Sequence, residues 1–123
     1  MSKYHKNIYF PLKHHKRLKV FNNRLNTIKY FNYSNHAKNQ IFNRVHDLKY
    51  FYDFMKYLIL EYDNIFEYTM DNDIIYKIAY RIKYDNEKDI ILSINQDKKI
   101  ITIYFNNSSD KHKTLNTREY ITQ

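Results

Sequence analysis

Residues 74–105 read IIYKIAYRIKYDNEKDIILSINQDKKIITIYF, and this stretch decides the fold. Over residues 74–84, isoleucine or tyrosine occupies every second position. Successive side chains of a β-strand point to opposite faces, so a period of two is typical of a strand. Two shorter β-rich runs, 89–95 and 99–105, each follow a polar turn. The stretch therefore predicts a three-stranded antiparallel meander.

The two sides of the long predicted strand differ in chemistry. We expect one side to pack on a helix, and it consists of Ile74, Tyr76, Ile78, Tyr80, Ile82 and Tyr84. The other side carries Lys77, Arg81 and Lys83, and we expect it to face solvent or a polyanion. A further strand is predicted at 65–70, joined to the long strand through the turn residues 71–73.

Two helices are predicted before the strands. In residues 12–31, apolar side chains recur at steps of three and four while lysine and arginine cover the rest, which indicates a basic amphipathic helix. A core helix is predicted over 36–61, with Ser34 or Asn35 as its N-cap. The expected fold class is α+β, with one or two N-terminal helices packed on a three- to four-stranded antiparallel β-meander. We expect residues 1–123 to form a single domain, with 1–31 a basic N-terminal arm or helix and 33–116 the α+β core.

Composition excludes several kinds of chemistry. The chain has no cysteine and no glycine, so thiolate metal sites, cysteine nucleophiles and glycine-rich phosphate loops are excluded. We expect no cofactor and no metal. No apolar run approaches the roughly 20 residues that span a bilayer, and residues from Lys3 onward lack a signal-peptide hydrophobic stretch. We expect a cytoplasmic protein without a membrane span.

Charge is distributed unevenly along the chain. Residues 1–44 hold ten Lys or Arg and no Asp or Glu, whereas residues 45–123 hold eleven Lys or Arg and thirteen Asp or Glu. Such asymmetry usually indicates contact with a polyanion. Nucleic acid, with RNA favoured over DNA, is the first expected partner; an anionic membrane surface and an acidic protein are the alternatives. The candidate nucleic-acid-binding residues are Lys13, Lys16, Arg17, Lys19, Arg24, Lys77, Lys83, Lys111 and Lys113.

The candidate catalytic residues are two histidines and two arginines. On a helix, His36, Gln40 and Arg44 form one polar stripe, because side chains four residues apart lie on the same face. Histidine can move a proton near neutral pH and arginine can hold a phosphate in a fork. The alternative interpretation of the stripe is a solvated helix face.

The run SNHAKNQIFNR, residues 34–44, followed by a helix and a β-meander, resembles the RelE-like and barnase/EndoU/colicin-type toxin ribonucleases. Their core helix opens with an H-A-x-x-R-x-x-x-R pattern. His36, Ala37 and Arg44 match this pattern, and Gln40 stands where the pattern has an arginine. The resemblance implies metal-independent RNA cleavage on the exposed sheet surface and an acidic neutralising protein as partner.

A ribonuclease of this general plan needs a general acid and a general base around the scissile phosphate. His36 and His112 are the candidate pair, with Arg81, Lys77 or Arg44 holding the phosphate. The pairing predicts that the start of the helix and the end of the last strand meet on one surface.

Three functions fit the sequence. The first is a metal-independent toxin-type endoribonuclease, and the second is a non-catalytic nucleic-acid-binding protein. The third is an inhibitor, from a virus or mobile element, that binds an acidic surface of a host protein. The ribonuclease requires both histidines, whereas the plain binder requires only the cations.

Overall fold

The computed structural model describes residues 14–109. Its helices are α1 (His15–Thr27), α2 (Asn35–Arg44) and α3 (Leu48–Tyr57), and a short 3-10 turn follows at Tyr62–Asn64. Its strands are β1 (Asn32–Tyr33), β2 (Ile65–Asp71), β3 (Ile74–Lys83), β4 (Lys88–Asn95) and β5 (Lys99–Asn107). The expected α+β class, with helices before a meander, is confirmed. No helix within residues 14–109 is long and apolar enough to cross a membrane.

The five strands form one sheet in the order β1-β5-β4-β3-β2. Strands β2 to β5 are an antiparallel meander, as the alternating pattern predicts. Strand β1 was not predicted; it pairs in parallel with β5 through Asn32 opposite Lys99 and Tyr33 opposite Ile100. A strand of two residues is too short to show a period, so its pairing is decided by the edge of β5 and not by its own sequence.

One face of the sheet, here the inner face, carries the helices. Helix α1 contributes Leu18, Phe21 and Leu25 to the main core, at the predicted steps of three and four. The other helices and the sheet add Ala37, Ile41, Phe51, Met55, Ile78, Tyr80, Ile82, Ile90, Leu92, Ile94, Ile100 and Ile103. Burial of these apolar side chains is the main force that holds the helices on the sheet.

A β-bulge corrects the predicted alternation of β3. Thr69 lies opposite Lys77 and Met70 lies opposite Ile75, so Tyr76 is an extra residue on β3. The bulge brings Ile75 into the core and leaves Ile74 and Tyr76 exposed. The expectation that Ile74 and Tyr76 face the core was therefore wrong, whereas Ile78, Tyr80 and Ile82 are buried as predicted.

The opposite, outer face of the sheet is less open than expected. Phe66, Ala79 and Ile91 form a second small apolar cluster there, with Tyr104 packed against it. Arg81 donates from Nε to Asp89 Oδ2 at 2.6 Å, and only 9% of its side-chain surface is exposed. The expectation that this side of β3 faces solvent was wrong for Ala79 and Arg81, because a cross-strand ion pair and apolar neighbours cover them.

The predicted helix over 36–61 is two helices. Helix α2 ends at Arg44, and Asp47 begins α3 by accepting a hydrogen bond from the Tyr50 N–H at 3.0 Å. Aspartate is a favoured N-cap because its carboxylate satisfies an N–H that has no partner inside the helix. Ser34 caps α2 in the same way, as predicted, by accepting from the Ala37 N–H at 3.0 Å.

Candidate nucleic-acid interface

The predicted stripe on α2 lies against the edge of β5. Gln40 Oε1 accepts a hydrogen bond from the Ile103 N–H at 2.6 Å, and Arg44 Nη1 donates to the Ile103 carbonyl at 3.1 Å. Strand β1 pairs only with Lys99 and Ile100 of β5. At Ile103, the side chains of Gln40 and Arg44 take the place of a neighbouring strand and satisfy the backbone N–H and carbonyl. Two members of the stripe therefore have a structural role, and His36 in the first turn of α2 is exposed.

The same geometry accounts for a glutamine at position 40. A guanidinium has only donors, so an arginine at position 40 has no group that accepts from the Ile103 N–H. The amide oxygen of Gln40 supplies this acceptor.

The described candidate catalytic residues do not form one group. His36 and Arg44 stand on α2, eight residues apart, which corresponds to about 12 Å along the helix axis. Arg81 lies on the outer face of the sheet, where it pairs with Asp89 and donates from Nη2 to the Asn107 carbonyl at 3.2 Å. His112 lies outside the described residues, so its pairing with His36 stays a prediction.

Helix α1 carries the cations that fit a polyanion best. The basic α1 surface consists of Lys16, Arg17, Lys19 and Arg24, which are all exposed. Arg17 Nη1 donates to the Asp73 carbonyl at 2.8 Å and Arg24 Nε donates to the Gln96 carbonyl at 3.4 Å. Within residues 14–109 none of the four forms an ion pair with a carboxylate. No carboxylate of the part of the chain that the structure describes therefore pairs with their charge.

The other candidate nucleic-acid-binding residues lie elsewhere. Lys77 and Lys83 alternate with the core residues of β3 and so stand on the outer face, with Lys83 exposed and Lys77 half-buried. The described candidate cations are thus divided between two faces of the molecule. Lys13, Lys111 and Lys113 lie outside the described residues.

The outer face also holds two titratable groups that the sequence patterns did not select. Burial raises the pKa of the Glu67 carboxyl, and the nearby charge of Lys77 partly offsets this. Burial likewise raises the pKa of Tyr104, Glu67 adds to the increase, and Arg81 opposes it. The signal for Glu67 was a carboxylate inside the apolar strand IFEYTM, residues 65–70.

A cleft of about 700 Å³ opens where the junction of α2 and α3 meets the turn between β3 and β4. Its half-buried floor includes Val45, Tyr84 and Phe105. The exposed residues around it are Asn43, Arg44, His46, Asp47, Tyr50, Asp85 and Lys88. The cleft was not predicted, because it depends on the break between two helices that were expected to be continuous.

Tyr84 fixes the floor of the cleft. Its ring meets the rings of Tyr50 and Phe105 edge to face, at 5.1 and 5.0 Å between centroids. The Tyr50 hydroxyl donates to the Tyr84 carbonyl at 2.7 Å. Burial, with smaller contributions from Tyr50, Asp85 and Asp47, raises the pKa of Tyr84 to about 12. The hydroxyl is therefore neutral at physiological pH and is not a general base.

Both carboxylates of the cleft already bind backbone N–H groups. Asp47 caps α3, and Asp85 Oδ1 accepts from the Glu87 and Lys88 N–H groups at 2.8 and 2.7 Å. These hydrogen bonds fix each carboxylate in place through its Oδ1 atom and do not involve its Oδ2 atom. The cleft therefore presents cations and hydrogen-bond acceptors beside aromatic rings.

Comparison of the chain with protein-family models, curated proteins and solved structures gave no match. The function is therefore inferred from the charge and geometry of the chain's own residues.

Proposed function

We propose that this chain binds nucleic acid, with single-stranded RNA as the first ligand, through the basic α1 surface. The observation that carries the proposal is that these exposed cations lie in a segment without acids and form no carboxylate pair within residues 14–109. Phosphate groups are suitable partners for such cations, because their contact releases condensed counterions.

The packing of α1 supports a preformed binding surface. Leu18 and Leu25 are completely buried, so the helix is fixed on the sheet before any ligand arrives. Asn26 adds two hydrogen bonds to the backbone of Leu60, at 2.8 and 3.0 Å. A rigid array of cations loses little conformational entropy when it binds.

An anionic membrane has less support as the partner. A helix that lies on a membrane inserts its apolar face into the lipid. In α1 that face is Leu18, Phe21 and Leu25, which are used in the protein core. Its exposed large apolar side chain is Val20, which offers little area for insertion.

Binding without cleavage is the form of the proposal that the site supports best. Arg44 and Arg81 each donate to groups of the protein itself. They also stand on different sides of the sheet, so neither is arranged to hold one phosphate together with the other. Cleavage is therefore an outcome for the experiment to detect and not part of the proposal.

The test compares two double variants of equal charge. Lys16→Gln/Lys19→Gln removes two cations of the basic α1 surface, and Lys49→Gln/Lys56→Gln removes two exposed cations of α3. We measure the anisotropy of labelled single-stranded RNA against salt concentration. The α1 variant should lose about fivefold in affinity, because two exposed charge contacts contribute about 1 kcal/mol together. Its salt slope should fall by about 1.4, or about 0.7 per lost phosphate contact.

The control variant should keep both the affinity and the salt slope of the unmodified chain. Equal losses in the two variants, or no binding to RNA or DNA at low salt, would contradict the proposal. A denaturing gel of the same mixtures in EDTA detects cleavage. RNA cleavage that His36→Ala abolishes would replace plain binding with the metal-independent ribonuclease.

A further inference from the structure

We propose that the cleft at the junction of α2 and α3 binds one nucleotide of a single-stranded nucleic acid, with its base on the aromatic floor and its phosphate beside Arg44 and Lys88. This inference rests on the proposed function, to which it adds a second site and a ligand class. The basic α1 surface supplies contacts to phosphates, whereas the cleft supplies contact with a base.

The size and floor of the cleft suit a nucleotide. A volume of about 700 Å³ lies in the range of about 300–1,000 Å³ that is usual for small-ligand sites. The aromatic residues Tyr50, Tyr84 and Phe105 line it, and their edge-to-face contacts fix the rings relative to one another. Stacking on such rings is the common means by which proteins hold unpaired bases.

The cations at the cleft suit a phosphate. Arg44 uses Nη1 for the Ile103 carbonyl, and the guanidinium has further N–H donors. Lys88 and His46 lie on the same cleft and are exposed. A phosphate bound there accepts hydrogen bonds from cationic donors, which are the stronger kind.

The two carboxylates favour a base over a bare polyanion. Asp47 and Asp85 offset the charge of Arg44 and Lys88, so phosphate alone gains little net attraction. Carboxylate oxygens accept hydrogen bonds from the exocyclic amino groups of bases. A ligand with an anionic end and an amino-bearing aromatic end matches both kinds of group, and cytidine monophosphate is such a ligand.

The first experiment is an NMR titration of the full chain with cytidine monophosphate, cytidine and inorganic phosphate. Cytidine monophosphate should shift the backbone amides of residues 43–50 and 84–88 and of Phe105. Its affinity should exceed those of cytidine and of phosphate by about tenfold each, because only the nucleotide uses both ends of the cleft. Phosphate binding as tightly as the nucleotide, or shifts without saturation, would overturn the inference.

Variants of Tyr50 separate the ring from its hydrogen bond. Tyr50→Ala removes the ring and should weaken nucleotide binding about fivefold or more. Tyr50→Phe keeps the ring, loses the hydrogen bond to the Tyr84 carbonyl, and should stay within about twofold of the unmodified chain. Lys88→Gln should weaken binding to the nucleotide more than to cytidine, and Lys56→Gln on α3, away from the cleft, should leave both unchanged. Equal binding by Tyr50→Ala and Tyr50→Phe would overturn the stacking role.

Short oligonucleotides distinguish a strand from a free nucleotide. A cytidine hexamer should bind more tightly than cytidine monophosphate, and Tyr50→Ala should weaken it too. The Lys16→Gln/Lys19→Gln variant should bind the hexamer less tightly and the mononucleotide equally well. Mononucleotide binding without any RNA binding would overturn the proposed function and assign a free nucleotide to the cleft. RNA binding without mononucleotide binding would overturn the cleft inference alone.

Discussion

Asn22 is a polar residue in the middle of α1 that the core requires. Its side chain is buried; Nδ2 donates to the Leu60 carbonyl at 3.0 Å, and Oδ1 accepts from the Tyr80 hydroxyl at 2.6 Å. From helix propensity alone, an asparagine at this position is a weakness. Its partners come from segments 38 and 58 residues away, so only the folded structure reveals why it is there.

Asn22→Leu should lower the free energy of unfolding by about 1–3 kcal/mol, because it leaves the buried Tyr80 hydroxyl without its acceptor. Tyr80→Phe removes that hydroxyl. The double variant Asn22→Leu/Tyr80→Phe should therefore lose less than the sum of the two single variants. Urea unfolding of the four proteins measures the difference, and strict additivity would show that the hydrogen bond contributes no coupling.

Glu67 gives stability a dependence on pH. Burial raises the pKa of this carboxyl in the folded state, so the folded chain holds the proton to higher pH than the unfolded chain does. The stability that this proton provides is fully present below the unfolded pKa of about 4.5 and is lost as pH rises through the folded pKa. Glu67→Gln should therefore melt at a higher temperature than the unmodified chain at pH 7.

The advantage of Glu67→Gln should shrink as pH falls towards 4. Thermal unfolding followed by circular dichroism between pH 4 and pH 8 measures it. The exposed Glu61→Gln variant is the control, and it should show no comparable gain at pH 7. A melting difference that does not change with pH would mean that the substitution acts through packing and not through the proton.

At the scale of elements, periodicity predicted types better than boundaries. The meander and the amphipathic face of α1 follow from steps of two and of three and four. The break between α2 and α3 did not follow, because apolar residues keep the helical step across Val45 and Leu48 and no proline or glycine separates them. The residue that indicates the break is Asp47, because aspartate favours the N-cap position. The backbone is extended at Val45, where α2 ends, and Asp47 then caps α3.

The contact of α2 with β5 gives a test at this scale. Gln40→Arg introduces a side chain with donors only and so removes the acceptor for the Ile103 N–H. It should lower the free energy of unfolding by about 1–3 kcal/mol, the usual loss for an unsatisfied backbone group. Gln40→Glu keeps an acceptor oxygen and should lose less. Urea unfolding would contradict this role of Gln40 if the two variants were equally stable.

At the scale of the whole molecule, the sequence predicts how charge is distributed along the chain but not which charged residues share a surface. The accumulation of cations before residue 45 is visible directly, because formal charge does not depend on folding. Which cations share a surface does depend on it: α1 lies on the inner face, whereas Lys77 and Lys83 lie on the outer face. The cleft could not be predicted for the same reason, since its residues come from three stretches of sequence, 43–50, 84–88 and Phe105, that the fold brings together.

The pairing of β1 with β5 closes the longest loop of the sheet. Asn32 and Lys99 are 67 positions apart, whereas each pairing within the meander joins strands that follow one another in sequence. Loop closure costs entropy that grows with loop length, and the β1–β5 ladder itself contributes only two residue pairs. Amide hydrogen exchange at Asn32 and Ser34, which donate to Lys98 and Ile100, should therefore be faster than exchange at Leu92 and Ile94 in β4. Equal protection would contradict this.

The β1–β5 pairing is therefore the part of the sheet that we expect to open first. Asn32 and Tyr33 can leave β5 while the meander stays folded, because the strands of the meander do not need β1 to pair with one another. Helix α1 stays on the sheet through the buried side chains of Leu18, Phe21 and Leu25. The cations of α1 therefore keep their arrangement when this pairing opens, because the core and the hydrogen bonds of Asn22 and Asn26 to Leu60 hold the helix. The positive charge of α1 is thus presented as an ordered array whether or not β1 covers the edge of β5.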